Sequence, residues 1–271
     1  MQMLIITSSD GGKTFGAPRS VAESVRATGL VMSFFGMVNG VQLASPTAGH
    51  AGRIVLPGWA LLNKTNPING KYDVSGTAMM YSDTGGASWK VSEVLTKGDP
   101  IDGTQPSEST LVELANGSLL VNIRDSLNIV EDKDPERCGC RLLARSDDGG
   151  ASFATVWEDP GLMSGSCAGA MLRSTKSGQV FFVNPHSRRN RVNGTVMVSA
   201  ADGDPGSWRV AGRVPSQNWV AAPGRPGDTF NFGYSAMALL PHPQHAHRQM
   251  LGVAYQNGWI ANGEFCPQLS F

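Results

Sequence analysis

An all-β fold assembled from repeated antiparallel meanders is what this sequence predicts, and three observations predict it. Long helical periodicity is absent, and short β-rich runs are cut by Gly, Pro, Asn and Asp about every eight to twelve residues. Two segments carry hairpin chemistry: "TLVEL" and "SLLVNIR" flank Ala115-Asn116-Gly117, and "AMLRS" and "QVFFVNP" flank "TKSG". One small turn is also rebuilt along the chain. It reads "SSDGGKTF" at Ser8–Phe15, "SDTGGASW" at Ser82–Trp89 and "SDDGGASF" at Ser146–Phe153, with a degenerate copy, "SAADGDPGSW", ending at Trp208.

In chain order these pieces form a rhythm. "GRIVLPGWALL" precedes "TAMMYSDTGGASWKVSEVL"; "TLVELANGSLLVNIR" precedes an insert and then "RLLARSDDGGASFATVWE"; "AMLRSTKSGQVFFVNP" precedes "GTVMVSAADGDPGSWRVAGRV". Each unit reads strand, turn, strand, loop, strand, special turn, strand, which is the four-stranded blade of a β-propeller. The spacing between closing aromatics (Phe15, Trp89, Phe153, Trp208) is irregular, so inserts differ between blades, as expected when long loops on one face carry function. One propeller domain over residues 1–271 is expected.

The turn has a local logic. In Ser-x-Asp-x-Gly-x-(Ser/Thr)-aromatic, the Ser and Asp side chains bond nearby backbone N–H groups, and a glycine supplies positive φ. The closing aromatic is expected to tuck under the neighbouring strand. Thr84 replaces the aspartate in the second copy. A calcium loop would need more than one or two carboxylates per turn. The turn is expected to staple blades and not to be the site.

With these turns the chain resembles the Asp-box exo-α-sialidases, and in particular the animal lysosomal-type members. "QPSESTLVELANGSLLVNIR" at Gln105–Arg124 carries the likeness furthest, continued by "CGCRLLARSDDGGASF", "GQVFFVNP", "RVNGTV" and "GYSAMALL". The resemblance implies a six-bladed propeller that removes terminal sialic acid from glycoproteins, oligosaccharides or gangliosides, with no cofactor. Position by position, it implies Tyr234 as nucleophile, Glu108 as the group that activates it, and Arg124 and Arg191 as two of three arginines that hold the substrate carboxylate.

Those residue types suit the chemistry. Arginine meets a carboxylate with a permanent charge and a planar fork. A carboxylate nucleophile approaching a carbon that already bears a carboxylate would meet like-charge repulsion; a phenol starts neutral and is deprotonated by its neighbour as the bond forms. Read singly, each residue has a plain alternative. Tyr234 suits a core aromatic at a strand start, Glu108 a solvated loop acid, Arg124 a strand-end snorkel and Arg191, in "SRRNR", a solvated turn.

Other features depart from the pattern or stay neutral. The family's first arginine and its acid/base aspartate find no match, so a missing first blade and final strand are expected, with a non-catalytic glycan- or protein-binding propeller as the alternative. Arg53 in "GRIVLPG" is not assigned to the clamp, and Gln256 stands where the family places a glutamate. The 22 basic and 22 acidic residues balance, leaving no electrostatic reason to expect nucleic acid or acidic lipid. No apolar run is long enough to span a bilayer, and "MQMLIITSSDGG" does not read as a signal peptide. A luminal, lysosomal setting and a protein partner are implied by the resemblance alone. Among Cys138, Cys140, Cys167 and Cys266, packed thiols or one disulfide are expected over a zinc site. His242, His245 and His247 read as an exposed hairpin loop. The glycosylation triplets at Asn63, Asn116 and Asn193 decide nothing, and Cys167 suits either a pocket wall or a packed thiol.

Overall fold

The computed structural model describes residues 3–26, 30–35, 38–46, 49–62, 75–98, 100–126, 138–164, 167–188, 191–214, 232–261 and 264–270. Asn63 and the side chains of His247 and Cys266 lie outside the described residues.

Strands β1 (Leu4–Ile5) and β2 (Arg19–Ser20) pair around the first turn and lead into a short helix, α1 (Ala22–Arg26). Sheet one contains β3 (Leu30–Phe35), β4 (Val41–Gln42), β5 (Ile54–Leu62), β6 (Ser75–Ser82), β7 (Lys90–Val91) and β8 (Leu95–Thr96). Both β3 and β4 pair with β5, and both β7 and β8 pair with β6. Six short runs thus fill four strand positions.

Sheet two is the meander β9 (Pro106–Glu113), β10 (Leu119–Asp125), β11 (Cys140–Ser146), β12 (Thr155–Met163). Sheet three repeats it with β13 (Ala170–Arg173), β14 (Val180–Pro185), β15 (Gly194–Ser199) and β16 (Arg209–Arg213). Sheet four orders β17 (Ser235–His242), β18 (His245–Ala261) and β19 (Glu264–Ser270). The three expected strand–turn–strand units are therefore present, as is the hairpin carrying His242 and His245.

Burial explains why the central strands lack polar alternation. On β10, Leu119, Val121 and Ile123 join a core shared with sheet one, while Leu120 joins a core shared with sheet three. Sheet three in turn shares Ala170, Val183 and Val196 with Met237 and Tyr255 of sheet four. Sheet two is covered on both faces, so "SLLVNI" reads as a continuous apolar run broken by one asparagine. Each such buried leucine contributes about 1.5–3 kcal/mol.

Register divides the sheets into two ends. Leu119 lies opposite Glu113 and Ser146, whereas Ile123 lies opposite Ser109 and Leu142. The repeated turns sit at the first end, here called the rim. In the first turn Asp10 Oδ1 accepts from Lys13 N at 3.0 Å and Thr14 N at 2.9 Å. In the third, Asp148 Oδ1 accepts from Ala151 N at 2.9 Å and Ser152 N at 3.0 Å. Thr84 reproduces only part of this, its hydroxyl accepting from Ser88 N at 2.8 Å. Gly150 adopts φ 90°, and a Cβ there would approach Val55 Cγ1 to 2.9 Å, so both conformation and packing demand glycine.

An arginine from the preceding strands grips each of the last three turns. Arg19 donates to the carbonyls of Gly86 and Ala87. Arg53 donates to the carbonyls of Asp148 and Gly149 at 2.9 and 3.1 Å, and pairs with Asp83 at 2.6 Å. Arg145 donates to Asp202 O and Asp204 Oδ1, both at 2.8 Å. Trp89 and Trp208 are buried as expected, but Phe15 is 60 % exposed. The stapling expectation fails at Phe15 because no described residue covers the first turn.

Candidate active site

Opposite the rim, the strand ends gather side chains from three sheets. At the start of β9 the pairing with β10 slips between Ile123 and Asp125, and such an irregularity re-aims local side chains. The loop is tied down beside it: Gln105 N donates to Asp125 Oδ1 at 2.8 Å, Ser126 Oγ to Ser107 Oγ at 2.7 Å, and Ser107 Oγ to Arg124 O at 3.2 Å. Glu108 and Arg124 consequently face one another across the slip. Their side chains are 13 % and 15 % exposed and pair at 2.5 Å, Arg124 Nη1 to Glu108 Oε2.

Tyr234 arrives from sheet four, immediately before β17. Its carbonyl accepts from Gln256 N at 2.8 Å, and Gly233 N donates to Gln256 O at 2.7 Å. Gln256 thus holds the tyrosine through its backbone. The phenol donates to Glu108 Oε1 at 2.5 Å, and Arg124 Nη1 lies 3.4 Å from the same phenolic oxygen.

Arg191 comes from the loop before β15, its guanidinium 5.3 Å from the Tyr234 ring centroid. That loop is linked to the tyrosine segment, since Phe232 N donates to Arg191 O at 2.9 Å. Gly194 lets the Phe232 ring pack directly on the backbone. All four residues singled out in the sequence therefore meet at one mouth.

The electrostatics follow from burial and neighbours. Burial pushes the Tyr234 phenol up to about 12, and the hydrogen bond and charge of Glu108 push the same way, while the Arg124 charge opposes them. The phenol is therefore protonated at neutral pH and hydrogen-bonded to its acceptor. Burial alone would lower Arg124, but the charge and hydrogen bond of Glu108 outweigh it and raise the guanidinium overall. The arrangement holds a protonated phenol hydrogen-bonded to a carboxyl group, and two guanidinium groups: one at the phenolic oxygen, one over the ring face.

Arg53, by contrast, is consumed at the rim. Cys138 and Cys140 form a disulfide, one of the two states expected for the cysteines. Cys167 is free and buried, its thiol pushed up to about 11 by burial, against the charges of Arg191 and Arg124. A cavity of about 700 Å³ opens at the rim end, lined by Leu111, Glu113, Met171 and Arg173. It contains none of the four mouth residues, so volume does not mark the chemistry here. Sequence reasoning missed Arg141 and Asn122, fully buried on adjacent strands and bonded to each other. The signal was available as two polar residues inside the apolar runs "CRLLARS" and "SLLVNIR".

Residues 1–245 match the family model described as a BNR repeat-like domain. The chain is 26 % identical over 264 residues to a sialidase of Micromonospora viridifaciens, covering 93 % of this chain and 34 % of that protein. It is 23 % identical over 263 residues to a sialidase of Bacteroides fragilis (strain YCH46), covering 94 % of this chain and 39 % of that protein. The chain thus spans well under half the length of these relatives. Among solved structures, the leech intramolecular trans-sialidase superposes with a TM-score of 0.64 at 16 % identity, over 99 % of this chain and 36 % of that one. At that identity the likeness speaks to the fold, which is all-β and of the β-propeller type.

Proposed function

The chain belongs to the BNR repeat-like domain family, and from that premise we propose that its intact protein is an exo-α-sialidase acting on terminal sialic acids with retention. The fuller reading includes a six-bladed ring, kinship with the animal lysosomal-type enzymes, and sialylated glycoproteins, oligosaccharides or gangliosides as substrates. The observation that carries it is the Tyr234–Glu108 bond of 2.5 Å, with Arg124 bonded to the same carboxylate.

In this reading the substrate carboxylate lies against Arg124 and Arg191, which places the anomeric carbon at the Tyr234 oxygen. Tyr234 Oη attacks that carbon while its proton passes to Glu108. The bond to the aglycone breaks with its electron pair going to the leaving oxygen. As that happens, negative charge grows on the phenol, and Arg124, 3.4 Å from it, stabilises the charge where it develops. Sialidases use tyrosine where most glycosidases use a carboxylate. Water then releases the sugar from the tyrosyl intermediate with the same configuration. We assign the proton donor to the leaving group, and the third carboxylate clamp, to no residue of this chain.

Transfer instead of hydrolysis would use the same covalent step. It is the second reading because a similar structure is an intramolecular trans-sialidase. The experiment is release of a fluorogenic sialoside by the intact protein, with the sugar product identified by mass spectrometry. Tyr234→Phe should abolish release, and unchanged turnover would overturn the assignment. Free sialic acid as product supports hydrolysis; an anhydro sugar supports intramolecular transfer.

A further inference from the structure

Behind the mouth lies a guanidinium that makes no contact with solvent. Arg141 on β11 is 0 % exposed and ranks with Phe182 among the largest fully buried side chains. Its Nε donates to Asn122 Oδ1 at 2.6 Å, its Nη1 donates to Cys167 O at 2.7 Å, and its plane lies 5.3 Å from the Phe182 ring centroid. Among the described residues it forms no ion pair, and its Nη2 has no hydrogen-bond partner.

Burying a charge without an opposite partner is costly, and well-packed apolar residues can often replace buried charges without loss of stability. The environment registers that cost. Burial, then the like charge of Arg124, lowers the guanidinium to about 9. Stability alone therefore gives no reason for an arginine here.

Its partners supply the reason. Asn122 lies two residues before Arg124 on β10. Cys167 lies in the loop that enters β13, and Phe182 lies on β14; both belong to sheet three, which also carries Arg191 at the end of its next loop. Two weaker ties run alongside: Asn184 Nδ2 to Met163 O at 2.8 Å, and Met171 N to Thr110 Oγ1 at 3.2 Å. The two arginines of the mouth stand on different sheets, and Arg141 is a fully buried charged tie between those sheets, where Arg145 ties them at the rim.

We propose that Arg141 is a positioning residue, whose two diverging N–H bonds hold the sheet carrying Glu108 and Arg124 in register with the sheet carrying Arg191. The proposal rests on the sialidase reading of the mouth. A lysine carries its donors on one nitrogen, which cannot occupy both the Nε and the Nη1 positions from which these two bonds run. The fork, and not the charge alone, is what sets the register.

Two substitutions test this in the intact protein, Arg141→Lys and Arg141→Met, with Asn122→Ala as a milder variant that keeps the arginine. Sialoside kcat and KM are measured beside the thermal midpoint, and the crystal structure of each folded variant is determined. Arg141→Lys should keep the fold but lose about 10²-fold in kcat/KM, mostly in kcat, because displacements near 1 Å cost that much. Asn122→Ala should lose less in the same sense. In the Arg141→Lys structure Arg191 should have moved away from the Tyr234 ring. Wild-type kcat in a folded Arg141→Lys, with Arg191 unmoved, would overturn the proposal. Full rescue by Lys of activity lost in Arg141→Met would overturn it too, since charge alone would then suffice. A wild-type protein that cleaves no sialoside would count against the sialidase reading only; the displacement of Arg191 would still decide the role of Arg141.

Discussion

Arginine meets oxygen at both ends of these sheets, but only at the rim does it grip the backbone of a repeated turn. At the rim, Arg19, Arg53 and Arg145 donate to backbone carbonyls of a later turn in the chain, and Arg53 and Arg145 also pair with Asp83 and Asp204. At the mouth, Arg124 donates to a titratable carboxylate that also holds a phenol. A carbonyl in a tight turn neither ionises nor leaves, so the rim contacts are permanent struts. In the proposed reaction Glu108 and Tyr234 pass a proton between them, and their arginine also binds the arriving carboxylate. The repeated motif therefore shows where the fold is held, and the residues that do not repeat show where chemistry is available.

The largest effect should come from separating the two ends by function. Glu108→Gln keeps the shape and an acceptor at the mouth but removes the proposed base. It is expected to lower sialoside turnover by about 10²–10⁴-fold while leaving the thermal midpoint of the intact protein nearly unchanged. A large fall in midpoint with proportionate activity in the surviving fold would show that the mouth, too, is structural.

The rim residue with the greatest leverage is Arg53, only 9 % exposed. Arg53→Met removes four charge-assisted bonds at once and leaves two carbonyls without their donor. A loss of about 2–3 kcal/mol is expected, which lowers the midpoint by on the order of 5–10 °C. The folded fraction should turn over sialoside at the wild-type rate. Reduced turnover per folded molecule would mean that the two ends are coupled.

These two ends were not equally legible. The blade rhythm was visible because turn chemistry is local: Ser, Asp and Gly at fixed offsets need only their own backbone to explain them. The four mouth residues were legible only through family resemblance, because Glu108, Arg124, Arg191 and Tyr234 acquire meaning when strands far apart in the chain converge. The clasping arginines were invisible for the same reason. Arg53 was set aside as a substrate clamp but not recognised as a strut, since its carbonyl partners lie some 95 residues further on. Phe15 shows the converse failure: its motif is complete, yet a motif cannot report whether a neighbour covers it.

The smallest effects test whether neighbours or local bonds carry the rim. The Asp10 and Asp148 turns make matching internal bonds, down to a hydroxyl donor at 2.6 Å from Thr14 or Ser152. Only the Asp148 turn is gripped by an arginine and packed over. Asp148→Ala should cost about 1–2 kcal/mol through its two stranded N–H groups, while Asp10→Ala should produce a smaller fall in midpoint, because water reaches its N–H groups freely. Acid tests the internal bonds of both turns. Burial alone would raise Asp148, but hydrogen bonds from Ser152, Ser146 and Ala151 outweigh it and hold the carboxyl below its ordinary 3.8. Asp83 is held low as well, first by its bond to Arg53. A lowered folded value means that the stabilisation is present above about pH 4 and is lost as pH falls through the folded values. Asp10 is held below 3.8 too, by hydrogen bonds from Thr14, Ser8 and Lys13, so midpoints measured from pH 6 down to pH 2 should fall less steeply in both alanine variants than in wild type. Equal costs for the two alanine variants would reverse the comparison: the turns would then be stable through their own bonds, and the arginine struts would serve only to set the angle between sheets.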